Sequence, residues 1–182
     1  MLGAGLFIKP ALAQAQVQSV EAPAMVVSAL GQTKTLGTSR FTYWGFEVYQ
    51  ATLWVAPDFK LSAINDAAYA LDLRYLRNFK GKDIAQRSLD EMRRVASLSE
   101  ARAQAWLKQM QDTFPDVKEG DRLTGIHLPG KGVRFLFNGQ TLAEVADAEF
   151  ARVFFGIWLS DKTSEPKLRA ALLGPVLVAG QP

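Results

Sequence analysis

Few side chains in this sequence have the type and spacing to do chemistry. Arg40 stands among aromatics, with Phe41, Tyr43, Trp44, Phe46 and Tyr49 close behind it. An arginine on a strand in such company can clamp a carboxylate through two parallel hydrogen bonds. It can equally be an edge-strand arginine, paired with an acidic side chain or lying over Trp44 or Tyr43. The aromatic run from Phe41 to Trp54 offers the walls of an apolar cleft or the filling of a sheet–helix core. Tyr49 fits both, because a buried tyrosine needs only some hydrogen-bond partner. His127 is the single histidine. As a general base it would need a nucleophile, and no Gly-x-Ser-x-Gly elbow accompanies it, so it reads as a loop histidine without a catalytic role. Asp90 and Glu91 are adjacent on a predicted helix, about 100° apart, so they do not face one another; they and the lone Glu144 read as solvated.

Composition narrows the field further. The 182 residues include no cysteine, which excludes disulfides, thiolate nucleophiles, cysteine zinc sites and iron–sulfur clusters. One histidine excludes a two-histidine zinc site. No catalytic residue, metal site or cofactor is expected. The net charge of +3 makes no demand for nucleic acid. From Arg74 to Arg94, however, seven basic residues stand against three acidic ones, with Tyr75 and Phe79 interleaved. That stretch can meet anionic lipid headgroups, a ligand carboxylate or nucleic acid, or form a solvated helix face with internal ion pairs. At the N-terminus, a short apolar run over residues 2–8 precedes Lys9, Pro10 and the small-x-small strings Ala11-Leu12-Ala13 and Ala13-Gln14-Ala15. Residues 1–15 therefore read as a signal-peptide remnant, and the protein as periplasmic or otherwise exported, where no nucleic-acid partner is expected.

The elements that must position these residues follow from periodicity. Ala24 to Leu30 reads as a first strand and Gly31 to Gly37 as a turn. Arg40 to Val55 reads as two strands with a bulge or bend at Gly45. Period-two alternation over 69–75 predicts a half-buried strand. Asp83 with Gln86, and Ser97 with Glu100, read as capping boxes opening two helices, the second stopping at Pro115. Strands over 122–127 and 132–137 flank Pro129-Gly130, and Asn138-Gly139 is a type I′ turn before 140–145. Asp147 caps a helix carrying Phe150, Val153, Phe154 and Ile157, and a last helix opens at Ser164 and ends at Gly174-Pro175. Antiparallel strands with helices in two blocks make an α+β protein of one domain, residues 24–182.

Two short strings resemble a known family. Gly37-Thr38-Ser39-Arg40 with Val48-Tyr49 and Leu53-Trp54 is similar to the opening strand pair of the chalcone isomerase-like superfamily. Phe154-Phe155-Gly156-Ile157-Trp158-Leu159-Ser160, followed by Leu168-Arg169 and Leu172-Leu173-Gly174, resembles the closing helices of its bacterial branch, which is exported. The resemblance implies an open-faced β-sandwich: a curved antiparallel sheet with helices packed on one face and a cleft between them. Members include an isomerase that cyclises chalcones and plastid proteins that bind fatty acids. It implies that Arg40 faces the ligand and that Tyr49 lies near a ligand carboxylate. The isomerase's other catalytic positions do not carry over. Ile84 falls where its tyrosine should be, Glu91 where its asparagine should be, and Trp44 near its threonine. The expected function is thus non-catalytic binding of a fatty acid or similar apolar carboxylate, with Arg40 supplying charge, Tyr49 a hydrogen bond, and Trp44 and Phe46 apolar contact. The alternatives are an isomerase or lyase acting on an enone, and an accessory protein with no small ligand.

Overall fold

A computed structural model describes residues 21–179. Alternation of apolar residues builds its sheet, a six-stranded antiparallel meander in the order β1 (Lys34–Tyr43), β2 (Phe46–Val55), β3 (Tyr69–Tyr75), β4 (Arg122–Leu128), β5 (Gly132–Phe137) and β6 (Gln140–Val145). Register fixes which side chains share a face, because directly paired residues point the same way. Phe41, Tyr49 and Tyr75 form one cross-strand row on the inner face, and Leu73 and Leu123 belong to a neighbouring row. Arg40, Gln50, Arg74 and Arg122 form a row on the outer face.

Helices cover the inner face. α2 (Gly81–Val95) and α3 (Glu100–Thr113) lie between β3 and β4, and α4 (Ala148–Leu159) and α5 (Pro166–Ala179) follow β6. Their buried stripes, including Leu89, Met92, Phe150, Phe154 and Leu172, join Leu53, Leu71 and Phe135 of the sheet in one core. Each such side chain withdrawn from water is worth about 1.5–3 kcal/mol. Two glycines permit the closest approaches. A Cβ on Gly37 would stand 2.2 Å from the Ala171 carbonyl oxygen, so α5 packs its backbone directly on β1. A Cβ on Gly156 would stand 2.6 Å from Val95 Cγ1, where α4 crosses α2. The expected α+β open-faced architecture is therefore present.

Several local expectations need correction. Residues 24–30 form a helix, α1 (Ala24–Leu30), and not a strand. A short apolar run carries no decisive period. Here the outer face leaves Trp54, Ala70, Ile126 and Leu136 to be covered, and α1 seats Val26 on them. β1 begins at Lys34, inside the expected turn; of the bulge or bend expected at Gly45 the structure has the bend, a two-residue turn joining β1 to β2. α2 starts at Gly81 without a side-chain cap; Asp116 Oδ1 accepts the Gly81 N–H at 3.0 Å from across the fold. α3 is capped by Ser99, which accepts from the Arg102 N–H, and not by Ser97. α5 runs through Gly174 and Pro175 to Ala179, its Leu172 and Leu173 anchored in the core. The caps at Asp147, which accepts from the Phe150 N–H at 2.9 Å, and the Asn138-Gly139 turn are as expected. Residues 1–15 lie outside the described residues.

Candidate functional site

A cavity of about 300 Å³ opens between the β1–β3 end of the sheet and helices α2 and α4. Its floor is the aromatic row of Phe41, Tyr49 and Tyr75, with rings 5.1 Å apart between the first two and 6.0 Å between the second two. Phe154, Ile157 and Trp158 of α4 close its deep side, and Ile84, Arg87, Ser88 and Glu91 of α2 form a wall. That wall is read from helical spacing: positions 84, 87, 88 and 91 recur every three or four residues and so share one face. The mouth carries the exposed Tyr43, Asp83 and Arg87, with Glu165 beside them. The lining is mostly apolar with a few polar groups, the usual make-up of a small-molecule site, and its volume is at the lower end of that class.

The polar groups are specifically held. The Trp158 indole N–H donates to the Tyr49 hydroxyl at 2.9 Å. Tyr49 thereby keeps its own proton for a second partner. Burial holds that proton well above the usual phenol range, the nearby carboxylates of Glu165 and Glu91 add to this, and the Trp158 hydrogen bond and Arg87 oppose it. Tyr49 is thus a hydrogen-bond donor throughout the physiological range. Burial likewise raises the Tyr75 hydroxyl. Glu91 is only 7% exposed at its side chain and lies 2.7 Å from Arg87 Nη2 and 3.5 Å from Arg94 Nε. Its Oε1, although close to Arg87, has no aligned hydrogen bond. The Arg87 guanidinium is half exposed and also lies 5.6 Å from the Tyr43 ring centroid. It has five N–H donors, more than one glutamate can occupy.

The expected site residues separate in the structure. Tyr49 lines the cavity. Arg40 does not: it is on the outer face and pairs with Glu47 at 2.6 Å, both side chains half exposed. The strand period of two decides this, since Phe41 and Tyr43 take the cavity side and Arg40 must take the other. Trp44 and Phe46 are 83% and 59% exposed at the hairpin tip, beyond the cavity lining. Glu91, expected to be solvated, is buried in the wall; the same 100° step that separates it from Asp90 turns it inward. His127 lies in β4, where the strand over 122–127 was expected, but it is no loop histidine: it is 4% exposed, stacked 4.7 Å from the Tyr69 ring with Nδ1 2.8 Å from the Ala67 carbonyl oxygen. Glu144 is exposed and pairs with Arg134 at 2.5 Å. Ile84 and Glu91, the positions aligned with the isomerase's tyrosine and asparagine, do line the cavity. From the sequence Arg87 stands out only as one of the basic residues of 74–94, Ser88 only as a helix residue, and Trp158 only within the closing-helix string. The signal that finds the first two is the α2 stripe itself, in which a charged residue interrupts an otherwise buried helix face.

The basic stretch is largely tied down by ion pairs, Lys80 with Asp116 at 2.7 Å and Arg93 with Glu100 at 2.8 Å in addition to those of Glu91. Among the described residues no cluster of acidic and histidine side chains could hold a metal ion, and no helix is long and apolar enough to cross a membrane.

Comparison with known proteins gives three findings. A family model described as chalcone isomerase-like matches residues 14–174. An uncharacterized protein of Haemophilus influenzae is 33% identical over 139 residues, 76% of this chain and 67% of its own length. A crystal structure of a fatty-acid binding protein of Arabidopsis thaliana superposes with a TM-score of 0.61 at 10% identity, covering 80% of this chain and 89% of that one.

Proposed function

The chain belongs to the chalcone isomerase-like family, and from that premise we propose that its cleft binds a fatty acid or similar apolar carboxylate without transforming it. The observation that carries this reading is the pairing of an apolar cavity with two anchors, the free proton of Tyr49 and the partly occupied guanidinium of Arg87. An acyl chain in the cavity gains about 0.8 kcal/mol per buried CH₂. Its carboxylate accepts from Tyr49 and Arg87, charge-assisted bonds that set its direction. Arg87 takes the role that the sequence suggested for Arg40. The solved relative of this fold that binds fatty acids supports the ligand class, and the export suggested by residues 1–15 fits a lipid carrier outside the cytoplasm.

Electrostatics limits how tightly a carboxylate is held. Asp83, Glu91 and Glu165 face the same space as Arg87, so the site favours its ligand through the acyl tail more than through charge. Displacement of a fluorescent fatty acid tests the reading. Arg87→Gln and Tyr49→Phe weaken binding, Arg40→Ala does not, and equal binding by all three would overturn it.

A second reading rests on Glu91. Glu91 lies in the cavity wall beside Arg87. Its carboxylate would take the proton of a hydroxyl on an enone ligand as that oxygen adds to the β-carbon, Arg87 would stabilise the resulting enolate oxyanion, and the proton would return to the α-carbon. Turnover of a chalcone that is abolished in Glu91→Gln would favour it over simple binding.

A further inference from the structure

Two hairpins of this sheet turn on the same backbone. Asn138 and Gly139 adopt φ of 49° and 82°, and Trp44 and Gly45 adopt 51° and 78°. Two-residue turns with positive φ at both positions match the twist of the flanking strands, and Asn-Gly adopts that form at least cost. Trp44 carries a bulky side chain into the left-handed region, where such residues are true outliers. Its one ring contact among the described residues is edge-on with Tyr43, centroids 6.2 Å apart. Trp44 is 83% exposed, and its flanking Tyr43 and Phe46 are 51% and 59% exposed. These are three of the five large apolar side chains that the described residues leave in water, gathered on one turn.

The tip is also basic. The Arg77 guanidinium lies 4.5 Å over the Phe46 ring, and that of Arg87 lies 5.6 Å from Tyr43. Of the nearby carboxylates, Glu47 pairs with Arg40 and Glu91 with Arg87, while Asp83 and Glu165 at the mouth, like Arg77, make no ion pair among the described residues. Aromatic rings with arginines beside them are the composition that settles at the headgroup level of a bilayer, and basic side chains there meet anionic phosphates. Three rings of about 150–250 Å² each, already partly covered, offer less than the roughly 800 Å² per partner of a stable protein interface.

We propose that the Tyr43–Phe46 hairpin tip is an interfacial anchor that seats the cleft mouth on an anionic phospholipid bilayer. Tyr43 belongs both to the tip and to the mouth, so an acyl chain leaving the bilayer enters the cavity beside the anchor. The docking stands on the tip alone; the transfer of an acyl chain rests on the function proposed above.

Cosedimentation with vesicles of phosphatidylcholine alone and of equimolar phosphatidylcholine and phosphatidylglycerol tests this. The wild-type protein partitions onto the anionic vesicles and is released by high salt. Trp44→Asn restores the usual turn residue, so it keeps or raises the melting temperature while lowering partition about tenfold. Arg77→Gln lowers it about fivefold. Absence of partition onto anionic vesicles, or equal partition of Trp44→Asn, would overturn the proposal. So would a wild-type dimer in vesicle-free ultracentrifugation that Trp44→Asn converts to monomer, since the tip would then be a self-association surface. Fatty-acid binding measured without vesicles separates the two claims. If it persists while partition is absent, the anchor alone falls; if partition persists while it is absent, the anchor stands and the acyl cleft falls.

Discussion

The Trp158 indole N–H meets the Tyr49 hydroxyl at 2.9 Å, joining α4 to β2 at the cavity floor. This one hydrogen bond orients the phenol and leaves its proton for a ligand. Tyr49→Phe therefore has two consequences. It strands a buried indole N–H, at a cost of about 1–3 kcal/mol in urea unfolding, and it weakens fatty-acid binding by about tenfold. Loss of affinity with unchanged stability would mean that Trp158 finds another partner.

The two arginines give a cleaner contrast. Arg40 and Glu47 are both half exposed, so Arg40→Ala costs about 0.5 kcal/mol or less in stability and leaves ligand affinity unchanged. Arg87→Gln weakens fatty-acid binding about tenfold but has little effect on a fatty alcohol of equal length. Parallel titrations of acid and alcohol read this directly.

How the sequence conceals that contrast is instructive. The Asn138-Gly139 turn and the Asp147 cap are local signals, realised as expected; the alternation of Tyr69 to Tyr75 does give a strand, but one buried on both faces except at Arg74 and not the half-buried strand expected. Arg40 needed knowledge of register. One residue of offset exchanges the two faces of a strand, and only the packing of Gly37 under α5 and of Phe41 beside Tyr49 settles which face is inner. α1 reads as a strand because a seven-residue segment, apolar but for Ser28, satisfies a strand or a helix, and an uncovered outer face decides between them. Arg87 and Glu91 were legible as helix residues, but their charge suggested solvent where the cavity gives them a partly enclosed wall.

His127 sets a pH dependence. Its burial pushes the imidazole below its ordinary value of 6.5, opposed by the Ala67 carbonyl. The unfolded chain therefore binds a proton that the folded one resists. Stability from this group is fully present above pH 6.5 and is lost as the pH falls through the depressed folded value. His127→Gln, which keeps a donor toward Ala67, shows a shallower loss below pH 6.5 in urea unfolding. An equal slope in both proteins would contradict the assignment.

The crossing of α4 on α2 predicts coupling between two positions. Gly156→Ala places a methyl 2.6 Å from Val95 Cγ1 and costs about 1–3 kcal/mol by overpacking. Val95→Ala alone also destabilises, through lost burial. The double variant recovers part of the sum, and a double-mutant cycle that closed additively would show the helices to be free to separate there.

The central claim, that the cavity between β1–β3 and α2 holds an apolar carboxylate, is tested most directly by native mass spectrometry of the protein as purified, followed by extraction and by addition of fatty acids to the stripped protein. Ile84 lies in the cavity wall, so Ile84→Trp fills the space. The account predicts a fatty-acid adduct on the wild-type protein and on Arg40→Ala that is absent from Ile84→Trp. Wild-type protein that takes up no added fatty acid, or an adduct retained by Ile84→Trp, would contradict it.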